Sequence, residues 1–320
     1  MIEHVIVMAA SPDRSMEALT RTRPRAMLPI LGKPLVAWVM DGYYNAGIRR
    51  FTVVVGEREG DVAIWLAERW HKDARVDFAP QGHRRGTAST LFATRHLIDG
   101  PVIITSCECL VSEEHVHTLA TYFERRSSDV AALSLYHAPE EAPETAGVLL
   151  DPRRRVMLIS EKPLGAHQDY MIALPVYAFT PRVLDYLDRV PVVSESGARV
   201  LTTAIQMMID DGGLVGAVEA SWRLRLATPD DLRRANLEML TRLEEPHIKS
   251  KVPESAAIIP PVYIEERVTI GQHVTIGPNV YIEQGSVIGA RSILEDSVVL
   301  GCQIGAGMTV RAEVVGEDRL

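Results

Sequence analysis

Cysteine is scarce in this chain: three in 320 residues, Cys107, Cys109 and Cys302. An odd count, with two thiols only two positions apart where a strand would turn both to one face, makes no disulfide framework. A reducing cytoplasm is the compartment it fits. Two thiols with no further Cys or His at ligand spacing also make a poor zinc site, so Cys107 and Cys109 are expected to pack. No run of Lys or Arg is longer than Arg153 to Arg155, and the net charge is −8. Nothing here presents a basic stripe to a phosphate backbone, which excludes nucleic acid as an expected partner. No apolar run reaches the length of a membrane span, and Val5 to Met8 follows the start with no basic segment or small-residue cleavage site. Neither a membrane partner nor export is expected.

What is present points to two domains. A chain of this length suits one domain of roughly 200 to 250 residues with a smaller appendage. Its first half alternates short β-branched runs with amphipathic stretches, the pattern of strands joined by crossover helices in a mostly parallel sheet. Ile2 to Met8, Phe51 to Val55 and Val102 to Thr105 read as strands; Leu35 to Ala46, Val62 to Trp70 and Ser89 to His96 read as helices. Trp38, Trp65 and Trp70 are expected in the core. From Val130 the pattern turns β-rich, with strands at 131–136, 148–150, 156–160 and 170–179, then helices at 181–188, 201–210 and 229–243. Ligands of open α/β sheets bind beyond the carboxyl ends of the strands, so residues just after Met8 and Thr105 are where chemistry is expected.

A charged, proline-bounded linker at 244–253 separates this domain, 1–243, from a different periodicity at 254–320. Ile258, Ile264, Ile270, Ile276, Ile282 and Ile288 fall six apart without a slip. Val262, Val268, Val274 and Val280 each stand two positions before one of these isoleucines, and glycine follows at Gly271, Gly277 and Gly289. Three flat faces stacked around an aliphatic interior explain a spacing that cannot drift. The segment resembles the hexapeptide-repeat left-handed parallel β-helix, with a register that loosens at 293–299 and about three coils. Its flat faces and open ends are expected to stack copies, giving a homo-oligomer.

In the first domain, Val7-Met8-Ala9-Ala10 runs after a loop into Arg23-Pro24-Arg25-Ala26-Met27-Leu28-Pro29-Ile30 and Gly32-Lys33-Pro34-Leu35. Downstream come Gln81 with Gly86-Thr87-Ala88, Gly147-Val148, Glu161-Lys162-Pro163, and Trp222 with Thr228-Pro229-Asp230-Asp231-Leu232 and Ala235-Asn236. In order and spacing these resemble the signature of the sugar-1-phosphate nucleotidylyltransferases, L-A-A-G-x-G-T-R, P-K-P-L-L-P, G-K-P-L, Q…G-T-A, E-K-P and W-x-D-x-x-T-P-x-D-L…A-N. The resemblance implies an α/β, Rossmann-like (GT-A-like) mixed, mostly parallel sheet with flanking helices. It implies a reaction between a nucleoside triphosphate and a sugar 1-phosphate, with Mg²⁺ held by two aspartates. It also implies substrate-binding positions: Ala9, Ala10 and Thr87, with Gln81 and Gly86 against the nucleobase, Gly147 on the sugar, Glu161 on sugar hydroxyls and Lys162 on the sugar phosphate.

The sequence departs from that pattern where triphosphate and metal belong. The two loop glycines are Ser11 and Asp13, the Thr-Arg pair is Arg14-Ser15, and the P-K lysine is Arg25. The first metal aspartate aligns with Glu108 and the second with Leu224. Arg14, Arg25 and Glu108 retain charges of the required sign, but an apolar side chain cannot ligate a hard cation. Three altered contributions of roughly 3 kcal/mol each amount to about six or seven decades in rate. The expectation is a catalytically impaired or silent pseudoenzyme that binds nucleotide or nucleotide sugar, as a sensor or as the regulatory subunit of an active homologue. The alternative is an active nucleotidylyltransferase with an unorthodox metal site. A third reading, hexapeptide acyl transfer, rests on His273. Plainer readings stand beside these: Gln81 capping the helix after the Gly-Thr turn, and Glu161-Lys162 as an exposed pair.

Overall fold

The computed structural model describes residues 2–10, 16–56, 60–82, 86–163, 168–193 and 197–316. The chain forms two compact units, Met1–Ser11 with Val36–Arg223, and Pro12–Leu35 with Leu224–Leu320.

The first unit is built on a sheet of nine strands among the described residues. They are β1 (His4–Met8), β2 (Arg50–Val55), β3 (Arg75–Pro80), β4 (Val102–Ser106), β5 (Asp129–Tyr136), β6 (Ala146–Leu150), β7 (Val156–Glu161), β8 (Met171–Phe179) and β9 (Leu214–Glu219). The order β3-β2-β1-β4 is parallel throughout, as buried runs such as Val-Ile-Val and Phe-Thr-Val-Val-Val require. β8 is antiparallel to β4, β5 and β6, while β9 runs parallel to β5. β7 pairs with β6 at the far edge. Helices α1 (Leu35–Asn45), α2 (Gly60–Arg69), α3 (Thr87–Ala93), α4 (Glu113–Arg125) and α5 (Leu201–Asp210) alternate with the strands. Ile6, Val54, Ile104, Leu133, Phe179 and Ile205 belong to one continuous core. Of the three tryptophans expected inside, Trp70 is buried, whereas Trp38 and Trp65 are half-buried.

In the second unit, α6 (Pro229–Leu240) begins with a reciprocal cap. Thr228 Oγ1 accepts from Asp231 N at 3.1 Å, and Asp231 Oδ2 accepts from Thr228 N and Ala227 N at 2.9 Å each. Pro229 occupies the first helical position, where a missing N–H costs nothing. The Thr-Pro-Asp-Asp motif is thus a helix start. Thr228→Ala should lower the stability of the chain by about 1 kcal/mol, read as a shift of the urea midpoint at constant slope.

Two turns into α6, fully buried Asn236 pins the hairpin Pro29–Ile30/Lys33–Pro34. Its amide donates to Pro29 O at 3.2 Å and Leu232 O at 3.0 Å, and its Oδ1 accepts from Leu31 N at 2.9 Å. The pin is needed because Leu31 and Gly32 have φ of 47° and 78°, the two left-handed positions of a tight hairpin, and leucine is a costly choice for the first. Asn236→Ala would strand the Leu31 N–H and the Pro29 carbonyl away from water, a loss of about 2 kcal/mol measurable by chemical unfolding. The same segment is held on the helical prism that follows. Arg23 donates to both carboxylate oxygens of Glu283, with Nη2 to Oε2 at 2.9 Å, and Gly32 lies so close to Glu265, itself the acceptor for Tyr281 at 2.6 Å, that a Cβ there would come within 2.6 Å of its Oε1.

The prism is a left-handed parallel β-helix whose faces carry five, four and three strands among the described residues. It has more coils than the three expected. The first of its strands, His247–Ile248, falls within the stretch expected to be a linker and pairs with Val262–Ile264. One aliphatic per coil stacks inside each face: Ile264-Ile282-Val299-Val315, Ile258-Ile276-Leu294-Val310 and Ile270-Ile288-Ile304. The valine repeat ends after Val280 because the same inner corner is then filled by fully buried Ser286, Ser292 and Ser297. Each serine donates its hydroxyl to a backbone carbonyl, at 2.5 to 2.8 Å, so burial leaves no donor unsatisfied. Gly289 marks a corner where a Cβ would lie 2.4 Å from Ala306 N of the next coil. No helix among the described residues is long and apolar enough to cross a membrane.

Candidate functional site

The parallel half of the sheet gathers four of the expected residues at the carboxyl ends of its strands. Ala9 and Ala10 follow β1, Glu108 follows β4, and Gln81 follows β3. The edge is tightly tied: Ala9 N and Ala10 N both donate to Val54 O at 3.0 and 3.1 Å, Cys107 N to Met8 O at 3.3 Å, and Gln81 N to Val55 O at 2.7 Å. Both alanine amides are therefore spent within the fold. Glu108 is half-buried in the turn between β4 and the strand Cys109–Val111, with its own N–H on Ser106 Oγ at 3.2 Å. Cys107 and Cys109 are buried and unbridged, and burial pushes the Cys109 thiol up to about 12. They behave as packing residues.

Gln81 does not cap α3. Its Nε2 donates to Thr90 Oγ1, 3.2 Å away, in the body of that helix. Gly86 is glycine for a reason internal to the fold: φ is +99° and a Cβ would lie 2.2 Å from Arg199 O. Thr87 Oγ1 accepts from Leu201 N at 2.8 Å, and Ala88 N donates to Arg199 O at 3.0 Å, so the Gly-Thr-Ala turn is docked on the start of α5.

A second group forms on β6 and β7. Gly147 is buried opposite Ser160, and a Cβ there would come within 2.7 Å of Pro163 Cγ and 3.1 Å of the Tyr170 ring. Glu161 ends β7 and accepts from Thr202 Oγ1 at 2.8 Å. The glutamate is exposed, and the desolvation it does undergo raises its pKa, opposed by the Thr202 hydrogen bond and by the Lys162 charge. Lys162 is exposed with φ of +43°, a left-handed conformation stabilised by its N–H on Thr145 O at 2.6 Å. Thr202, buried and bonded to the carboxylate, was missed by sequence reasoning. No signal along the chain singles it out, since Thr203 shares the same first turn.

Arg25 lies in the second unit, 6% exposed, where Nη2 donates to Ala227 O at 2.8 Å. Leu224 is 8% exposed. Arg14 lies outside the described residues. Among the described residues no group of three or more His, Cys, Asp or Glu is arranged to hold a metal ion.

A family model described as nucleotidyl transferase matches residues 5–241, and one described as GMPPB C-terminal domain matches residues 258–319. A protein of Methanocaldococcus jannaschii named bifunctional protein GlmU is 22% identical over 262 residues, 82% of this chain and 60% of that protein. The chain thus spans less than two thirds of that relative's length. A bifunctional sugar-1-phosphate nucleotidylyltransferase/acetyltransferase of Sulfurisphaera tokodaii is 27% identical over 315 residues, 97% of this chain and 74% of that protein. Among solved structures, UDP-glucose pyrophosphorylase complexed with UDP-glucose aligns over 76% of this chain and 100% of its own, with a TM-score of 0.69 and 16% identity. That likeness is one of fold.

Proposed function

The chain belongs to the nucleotidyl transferase family, and on that premise we propose that it binds a nucleotide or nucleotide sugar while transferring nucleotide very slowly or not at all. The observation that carries this reading is Leu224. It stands where the family motif has its second metal aspartate, and it is buried and apolar. Mg²⁺ is the metal the family generally uses, and the donor set left here, Glu108 alone, does not fit a hard divalent cation that wants several oxygen ligands. By contrast the sugar-side group is built: Glu161 is oriented by Thr202, and Lys162 is held in a strained, solvent-facing conformation beside it. A protein with a furnished recognition side and a depleted metal side suits a sensor or the regulatory partner of an active homologue.

Two measurements test this. Calorimetry with a panel of nucleoside diphosphate sugars should show binding to the purified chain. Pyrophosphate release from nucleoside triphosphates and sugar 1-phosphates, with Mg²⁺ or Mn²⁺, should run several decades below an ordinary enzyme rate of about 10 per second. Ordinary turnover that is abolished by Glu108→Ala would establish the alternative, an active enzyme with an unorthodox metal site. Absence of heat with every nucleotide sugar would remove the sensor reading. The β-helix is proposed to assemble copies of the chain, and a monomer in light scattering at high concentration would exclude that. The acyl-transfer reading rests on His273, which is exposed at a left-handed corner with φ of 58° and its N–H on Ser255 Oγ at 3.1 Å. An acetyl-coenzyme A assay decides it.

A further inference from the structure

The two recognition groups described above are joined through one short stretch of chain. At one end, the carbonyl of Arg199 occupies the space that a side chain at residue 86 would need, and the same carbonyl accepts from Ala88 N at 3.0 Å. Two residues on, Leu201 N donates to Thr87 Oγ1 at 2.8 Å. The next residue, Thr202, donates to Glu161 Oε1 at 2.8 Å. One helical turn later, on the same face of α5, Gln206 Oε1 accepts from Ile159 N at 2.8 Å. Thr202 and Gln206 thus grip Glu161 and Ile159, alternate residues of β7, which is an edge strand of the sheet and has backbone donors left over for such a partner.

From this we infer that the start of α5, Arg199–Thr202, mechanically ties the Gly86-Thr87 turn to the Glu161 carboxylate, with Thr87 and Thr202 as positioning residues. The naming of these ends as nucleotide-facing and sugar-facing rests on the reading proposed above; the tie itself rests on the hydrogen bonds alone. Its rigidity follows from its make-up. The 86–88 turn has no slack, because Gly86 already touches the Arg199 backbone. Thr202 is 5% exposed, so its hydroxyl has no water to turn to if Glu161 moves. A displacement of the Gly-Thr turn by a bound nucleotide would therefore be carried to the Glu161 carboxylate rather than absorbed, and by reciprocity a ligand on Glu161 would bias the turn. Such a tie would let a protein that does no chemistry still respond to the complete nucleotide sugar differently from either of its halves.

The test needs no ligand. Site-resolved amide exchange and the carboxyl titration of Glu161 are followed by NMR in the full chain for Thr87→Val, Thr87→Ser, Thr202→Val and Thr202→Ser. Thr87→Val removes the acceptor for Leu201 N, and exchange at Leu201 should quicken by about tenfold, the value of one hydrogen bond. The inference requires that Ile159 exchange quickens as well and that the Glu161 titration shifts, with Thr87→Ser restoring both. Run the other way, Thr202→Val should raise the Glu161 titration point and quicken exchange at Ala88, and Thr202→Ser should restore them. Effects confined to Leu201 in the first variant and to Glu161 in the second would overturn the tie, as would an unchanged Leu201 in Thr87→Val. A failure of nucleotide sugars to bind would count against the proposed function and leave this result standing.

Discussion

Glu141→Ala should cost the α/β unit about 3 to 5 kcal/mol, because it strips the counter-charge from a guanidinium that water barely reaches. Arg223 donates to Glu141, and the two side chains are 10% and 27% exposed. The guanidinium also lies over the Tyr136 ring, 4.8 Å from its centroid. Nearby Cys109, Ala138, Ala142, Ile172, Leu174 and Ala220 form a small apolar cluster of their own. Unfolding in urea should show a lower midpoint at an unchanged slope. A paired replacement, Arg223→Met with Glu141→Leu, should recover most of the loss, since a buried ion pair contributes little over apolar residues of similar volume. A loss below about 1 kcal/mol in the single variant, the range of exposed pairs, would show that the pair is solvated.

The fold was legible wherever one period ran uninterrupted. Parallel strands buried on both faces announce themselves as β-branched runs, and β1, β2 and β4 fall within two residues of their expected bounds. The β-helix was plainer still, because each inward position must stack on its counterpart in the neighbouring coil. What escaped were elements whose apolar signal is diluted. α4 reads Glu-Glu-His-Val-His-Thr-Leu-Ala-Thr-Tyr-Phe-Glu-Arg, and its buried face includes a histidine among Val116, Leu119 and Phe123. β3 carries Arg, Asp and Pro on an edge of the sheet, and β9 contains a glycine that makes room for Tyr122. The loosened register at 293–299 has a simple geometry. Coils of eighteen residues, as from Ile276 to Leu294, shorten to sixteen, as from Leu294 to Val310, while each inner side chain stays above its predecessor. Six-residue counting fails there although the stacking does not.

Motif order identified the family but did not separate recognition from architecture. Asn236 and the Thr228/Asp231 cap sit in the signature for reasons of folding: a left-handed hairpin needs a pin, and a helix needs a start. Gly86 is also demanded by the approach of Arg199. The cap is visible in sequence as Thr-Pro-x-Asp before an apolar periodicity. The pin is not, since residues 29–31 and 236 meet only in three dimensions. The same holds for Thr202, whose importance comes from the strand it faces rather than from any spacing along the chain.

Lowering the pH from 7 to 4 should remove about 4 to 7 kcal/mol of stability through two histidines alone. His4 and His115 are each 4% exposed, and each ring Nε2 is hydrogen-bonded to a hydroxyl: Thr52 Oγ1 at 2.8 Å and Ser134 Oγ at 2.7 Å. Burial holds both well below the ordinary histidine value, to about 4, with Arg50 adding to the effect at His4. In the unfolded chain both take up a proton below about 6.5, whereas the folded chain refuses it until about pH 4. The unfolded state therefore binds more protons across that interval, and folding weakens as the pH falls through it. Above the interval the contribution is complete; below it, no more is lost from this source. Carboxylates titrate in the same range, so the diagnostic is a difference. A His4→Gln/His115→Gln protein, whose amides can still meet the two hydroxyls, should show a shallower fall in stability between pH 6.5 and 4. An identical pH slope in the two proteins would mean that the folded state accepts those protons, and that the interior around β1 and α4 is wetter than its packing indicates.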